Sequence, residues 1–424
     1  MIAEIIAAGS EMLTPYRQDT NSLFLTEALN DLGVQVAFKT IVGDNIDHLT
    51  GAARIALSRA DIVVFSGGLG PTEDDLTREA AASALGIPLL RSDALLAGLA
   101  QRFAARNIPM SPNNAKQADV LQGATILDNK NGSASGQYLD TTIFHSDAPS
   151  VRRIVILLPG PPRELKPLFS EQVVPLLAAS LPPRFLAKRM LRMALVPESL
   201  VDARTAPIYK QYSDIETTIL AGSAEIQLHF LAASDNLPAA QARVDELSSR
   251  VEAEMVDAIY SSHGESLEEI VLLNLGVRHL TLAVAESCTG GLFAERLTAI
   301  PNSSRNFLGG VVAYTPELKT LFADVPKELI AAKGSVSPEV ATALAEGIRQ
   351  RTGASIGIGI TGLAGPSGGA PGPDEHRPIG LIYLALATAT GTEVKEIQLT
   401  GERDRIRFWA TQHALEFIRR GLLL

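Results

Sequence analysis

Apolar strand runs alternate with amphipathic helices at both ends of this chain, and that alternation leaves few folds open. At the start, the buried-strand pattern IAEIIAA is followed by the helix pattern DTNSLFLTEALNDLG, which Asp19 can cap and Gly33 can end. A second strand, VQVAFKTIV, a second helix, NIDHLTGAARIALSRA, and a third strand, DIVVFSGG, follow in turn. Such a βαβαβ order requires right-handed crossovers and a parallel sheet, with ligands expected beyond the carboxyl ends of the strands. The run RRIVILLPGPPREL adds another buried strand, so a first domain is expected over residues 1–170.

The pattern changes over 171–265, where RMLRMALVP and AEIQLHFLAA read as strands and NLPAAQARVDELSSRVEAEM as a polar helix. This is a small α+β module with no cluster of reactive side chains, suited to linking or dimerisation. From 266 to 424 an α/β pattern returns, with strands LTLAVAES, GGVVAY, SIGIGITG, GLIYLALAT and EVKEIQL. Ser337 before Pro338 marks a helix start. The expected fold class is therefore α/β: two α/β sandwich domains with mostly parallel sheets, joined by the α+β module. At 424 residues the chain is long enough for two or three such cores.

Composition narrows the partners. The net charge of −10 and 5% aromatic content argue against gripping a nucleic-acid backbone, and small-molecule chemistry is favoured. No window is apolar enough to span a bilayer, and the N-terminal residues lack a basic leader, so a cytoplasmic location is expected. A single cysteine, Cys288, excludes an internal disulfide and any multi-cysteine zinc site.

Two loops at strand ends carry candidate chemistry. In SGGLGPTEDDLT, residues 66–77, glycines and a following helix suit a phosphate. Glu73, Asp74 and Asp75 in the same turn would repel that phosphate unless a divalent cation such as Mg²⁺ lay between them. Capping of the helix by Asp74 and Asp75 is the plainer alternative. Ser10, Glu11 and Asp44 supply further polar groups at neighbouring strand ends.

The second loop is AESCTGG, Ala285 to Gly291. It reads as a nucleophile site, a phosphate cradle or a tight corner, although no lysine follows the glycines as in a Walker loop. A nucleophilic Ser287 needs a base, and no histidine lies in the neighbouring motifs. Lys319, in TPELK after the strand ending at Tyr314, can serve if burial lowers its pKa, and Thr361 comes from a third strand end. Cys288 is the competing nucleophile, against its ordinary role as a small buried hydrophobe.

The motifs GSEML, DTN, GGLGPTEDDLT, NNAKQA and LPGPPRE resemble the molybdopterin-binding-like domain of CinA proteins, the competence/damage-inducible family. AESCTGGL, GGVVAYTPELK and GITGLAGPSGG resemble the CinA C-terminal domain, which is similar to nicotinamide mononucleotide deamidases. For the first domain the resemblance implies a Mg²⁺-dependent ADP-ribose pyrophosphatase. Glu11, Asp44, Asp74 and Asp75 would hold metal or polarise water; Gly67, Gly68, Gly70 and Thr72 would line the phosphates, with Lys116 as a cationic partner. Pro15 in TPYRQ and the GSASG stretch ending at Gly136 depart from the family pattern and alter loops around that pocket.

For the C-terminal domain the resemblance implies amide hydrolysis without a cofactor. Ser287 is the nucleophile and Lys319 the base; Tyr314 and Thr361 position the amide, and Thr289, Gly290 and Gly291 contribute to substrate and oxyanion binding. Arg403 meets the phosphate, with Arg407 as second choice. The loop GAPGPDEHRP, beginning at Gly369, is longer than usual and suits a lid. The resemblance also implies a homodimer, with nicotinamide mononucleotide and ADP-ribose as small-molecule partners. A CinA-like protein that senses nucleotides without catalysis is the alternative.

Overall fold

The computed structural model describes residues 1–143, 150–182, 185–369 and 372–422. Its backbone contacts divide into two compact units, Met1–Leu186 with Ala233–Ala240, and Ala187–Ala232 with Gln241–Leu424. No helix among the described residues is long and apolar enough to cross a membrane.

The first unit contains β1 (Ile2–Ala8), β2 (Gln35–Val42), β3 (Ile62–Ser66), β4 (Leu89–Arg91), β5 (Asp119–Leu121), β6 (Thr125–Leu127), β7 (Gly136–Ile143) and β8 (Val151–Leu158). Six of these form one sheet in the order β2-β1-β3-β8-β7-β6, while β4 and β5 pair separately. The strand pairs from β2 to β8 are parallel and the last two are antiparallel. In β1 and β3, Ala3, Ile5 and Ile6 and then Ile62 to Phe65 are all but inaccessible, as a sheet covered on both faces requires. Asp19 caps the helix Thr20–Asp31 through the Ser22 amide.

The second unit holds two sheets. The module strands β9 (Phe185–Ala194), β10 (Ile215–Gly222), β11 (Glu225–Ser234) and β12 (Ile259–Ser261) run in the order β10-β11-β9-β12. The other strands are β13 (Leu282–Glu286), β14 (Phe307–Val312), β15 (Ile356–Gly362), β16 (Leu381–Ala387) and β17 (Thr392–Gln398), ordered β14-β13-β15-β16-β17. β13 pairs in parallel with both neighbours, and β16 turns the sheet antiparallel. The α/β class, with mostly parallel pairing around the strands that carry the loops of interest, is thus observed.

Small residues set the spacing on one face of this sheet. The glycine in GIGIT at position 359 lets the helix Pro338–Thr352 lie directly on β15, since a side chain there would strike the Ala341 carbonyl. Gly347, on that helix, gives room in the same way for the Ala323 carbonyl at the end of the helix Pro316–Ala323. Two close approaches therefore bring the helix that carries Lys319 down beside the carboxyl end of β13.

Candidate active site

β13 is buried at all five positions, including its last, Glu286. A charge at the end of an apolar strand needs compensation, and the next turn supplies it. The Glu286 carboxylate accepts from the backbone N–H groups of Gly291 (3.0 Å), Phe293 (3.1 Å) and Ala294 (2.9 Å). These are donors that the start of the helix Leu292–Thr298 would otherwise leave open. The dipole end is already neutralised from within, which removes the phosphate-cradle reading of AESCTGG.

Ser287 follows Glu286 and is fixed by its own N–H, which donates to the Ile360 carbonyl at 2.9 Å. Lys319 is 1% exposed, and its Nζ lies 2.7 Å from Ser287 Oγ and 3.0 Å from the Ala313 carbonyl oxygen. Burial pushes the Lys319 pKa down to about 8, against a smaller opposing pull from nearby groups including Asp374. A large share of neutral amine is thereby available in mildly alkaline solution, and a neutral amine can take the serine proton. Cys288 is also buried, but burial pushes its thiol up to about 12. It is a protonated packing residue at neutral pH.

The other expected residues divide. Tyr314 is half exposed, and its hydroxyl accepts from Arg403 Nη2 at 3.0 Å; Arg403 Nη1 donates to the Gly365 carbonyl at 2.5 Å. Arg407, one turn further along the helix Arg403–Gly421, donates to the Thr289 carbonyl at 2.8 Å. Both guanidiniums therefore stand at the rim of the Ser287 turn. Thr361 is fully buried, and its hydroxyl donates to the Ser335 carbonyl at 2.7 Å. It can accept a further hydrogen bond, but its proton is committed.

Two of the expected donors in the turn are corrected. The Gly290 N–H goes to the Ser287 carbonyl at 3.1 Å and the Gly291 N–H to Glu286, so neither is open to substrate. The amides of Cys288 and Thr289 instead donate to no backbone carbonyl among the described residues. Thr289 Oγ1 is buried and without a partner there as well.

Of the loop 369–378, residues 370 and 371 lie outside the described residues. Asp374 in that loop is buried and accepts from the amides of Ser335 (2.6 Å) and Val336 (3.3 Å), with Arg377 Nε at 3.0 Å. It ties the loop to the segment that also receives Thr361. Sequence reasoning singled out neither Glu286 nor Asp374.

In the first unit, Glu11, Asp44, Gly67, Gly68, Gly70, Asp74 and Asp75 all line one cavity of about 560 Å³ at the carboxyl ends of β1, β2 and β3. Gly67 and Gly68 have φ of 99° and 68°, and side chains there would strike the Ala8 carbonyl and Thr77. Their first task is the turn itself. Thr72 and Lys116 sit outside the lining: Lys116 Nζ donates to the Thr72 carbonyl at 3.2 Å and pairs with Glu79 at 3.3 Å.

The helix expected from this loop begins at Thr77 with no side-chain cap, so Asp74 and Asp75 do not cap it. Asp75 accepts from the Thr72 amide (2.9 Å) and hydroxyl (2.5 Å), and Asp44 from the Ser10 amide (2.7 Å). Among the described residues no three acidic, histidine or cysteine side chains converge on a point that could hold an ion. The carboxylates expected to bind Mg²⁺ share a cavity but do not fit a preformed cation site. The GSASG stretch borders the same space through Ser133 and Ala134, and Ser133 Oγ accepts from Gln117 at 3.1 Å.

Residues 264–422 match the CinA C-terminal domain, and residues 4–179 match the probable molybdopterin binding domain. A CinA-like protein of Acidobacterium capsulatum is 58% identical over 423 residues, covering 100% of both chains. One from Koribacter versatilis is 52% identical, again over 100% of both. Among solved structures, the protein CinA from Thermoplasma acidophilum aligns at 31% identity over 41% of this chain and 99% of its own, with a TM-score of 0.37.

Proposed function

Since this chain belongs to the CinA family, we propose that its second unit hydrolyses the carboxamide of nicotinamide mononucleotide by serine nucleophilic catalysis. One observation carries the proposal: the buried Lys319 amine sits 2.7 Å from the Ser287 hydroxyl. With the amine neutral, the hydrogen bond reverses and the hydroxyl donates to Nζ. As Ser287 Oγ bonds to the amide carbon, Lys319 takes the hydroxyl proton.

Negative charge then develops on the carbonyl oxygen, and the unengaged amides of Cys288 and Thr289 are the donors for it. The protonated Lys319 gives its proton to the departing nitrogen, and ammonia leaves an ester on Ser287. A water molecule, deprotonated by the same lysine, attacks that ester and releases nicotinate mononucleotide with the serine restored. Arg403 places a guanidinium at the rim, where the phosphate of a mononucleotide needs it. Asp374 and Glu286 act by holding the segments that carry these groups.

For the first unit we propose a nucleotide cleft, with ADP-ribose as the ligand class. A Mg²⁺-dependent pyrophosphatase there would draw on Glu11, Asp44, Asp74 and Asp75 for the ion. Asp44 and Asp75 are already held by the Ser10 and Thr72 amides. That engagement favours the second reading for this unit alone, binding without turnover. Ammonia release from nicotinamide mononucleotide by the wild type and by Ser287→Ala tests the first proposal, and ADP-ribose cleavage with and without Mg²⁺ tests the other.

A further inference from the structure

The helix Arg403–Gly421 serves the Ser287 turn with Arg403 and Arg407, but its first turns carry another cationic and aromatic group. Arg405 and Trp409 lie about half a turn around the helix from Arg403, at 100° per residue. Trp409 is the only tryptophan in the chain. The Arg405 guanidinium stands 5.2 Å from its ring centroid. Both residues, with Phe408 and Arg407, line a cavity of about 820 Å³ whose facing wall is the hairpin turn at Gly222 and Ser223, between β10 and β11. That volume falls within the roughly 300 to 1,000 Å³ of small-molecule sites.

We propose that this cavity is a second ligand site, which takes a nucleoside monophosphate with its base packed on Trp409 and its phosphate held by Arg405 and Arg407. The catalytic proposal makes no use of Arg405, Trp409 or the hairpin. Indole offers a flat apolar face that stacks with any base, and paired guanidiniums match a phosphate better than a single carboxylate. Arg405 is exposed, so moving its guanidinium from the indole onto a phosphate needs only a change of rotamer. The fixed charges favour a dianion: two arginines face the cavity against Asp404, which lies 3.6 Å from Arg407. The hairpin wall adds only small side chains, leaving the volume open for a base.

Trp409 makes the test direct, because all tryptophan emission from the full chain comes from this cavity. The chain is titrated with adenosine monophosphate, with adenosine and with inorganic phosphate, following emission and, in parallel, binding heat. The nucleotide is expected to give a saturable response at a concentration about tenfold or more below either fragment. Arg405→Ala is expected to weaken that response about tenfold. In Ser287→Ala saturated with nicotinamide mononucleotide, the nucleotide response is expected to persist. Absence of both emission change and heat would overturn the site, as would an unchanged affinity in Arg405→Ala. Stoichiometric displacement by nicotinamide mononucleotide would reduce the cavity to part of the substrate site.

Discussion

The amine of Lys319 and the hydroxyl of Ser287, 32 residues apart in sequence, meet at 2.7 Å in a pocket where Lys319 is 1% exposed. Close backbone approaches at Gly347 and Gly359 seat the helix Pro338–Thr352 against the end of the Lys319 helix and against β15. A longer side chain at either position would lift the lysine helix or its supporting helix off the sheet.

Lys319→Met keeps the length and removes the base. Ammonia release should fall by about 10² to 10⁴, the range of lost general acid–base catalysis. Stability should move the other way: the buried amine is charged at neutral pH at a cost, so Met at this position should raise the unfolding free energy by about 1 kcal/mol or more in urea titrations at pH 7.

The pH profile follows from the lysine. Its folded pKa of about 8 lies below the ordinary 10.5, so the neutral, active amine gains population as pH rises. kcat/KM should climb about tenfold per unit below pH 8 and level off above it. Between pH 8 and 10.5 the unfolded chain holds more protons at this lysine than the folded one does. This lysine's contribution to stability should therefore increase with pH across that window.

Glu286→Ala should damage the fold as well as the activity. Three amides at the helix start lose their acceptor at once, and about 3 kcal/mol or more of stability should go with them. Glu286→Gln retains an acceptor oxygen and should be milder in urea titration, with kcat reduced more than KM changes, since the turn carrying Ser287 is what shifts.

Asp74→Asn tests the first unit. If ADP-ribose is cleaved there with Mg²⁺, the variant should abolish turnover in a pyrophosphate-cleavage assay while ADP-ribose binding by calorimetry changes little. Binding by the wild type without any Mg²⁺-dependent cleavage would support the sensing reading of this cleft.

The strands and the three motif loops at the end of the second unit were legible because buried parallel strands read as apolar runs and their carboxyl ends carry the polar residues. Ser287 and Tyr314 follow such ends, Lys319 lies on the helix after the second of them, and the structure brings Ser287 and Lys319 together. The direction of a donor is not written in residue type, which is why Gly290 and Gly291 looked open and are not. Glu286 did leave a signal: a carboxylate closing the run LAVAE, one turn before a helix start, needs that helix's free amides. Asp374 left none, since its partners Ser335 and Val336 are reached only through the tertiary fold. In the first unit the sequence showed four carboxylates near strand ends but not that Thr72 and Ser10 had claimed two of them.

The most direct test of the Ser287–Lys319 pair is to quench the wild-type enzyme during turnover of nicotinamide mononucleotide and weigh its peptides. A nucleotide acyl ester on the peptide bearing Ser287, absent from Ser287→Ala together with ammonia release, is the predicted result. Ammonia release at the wild-type rate from Ser287→Ala would contradict it.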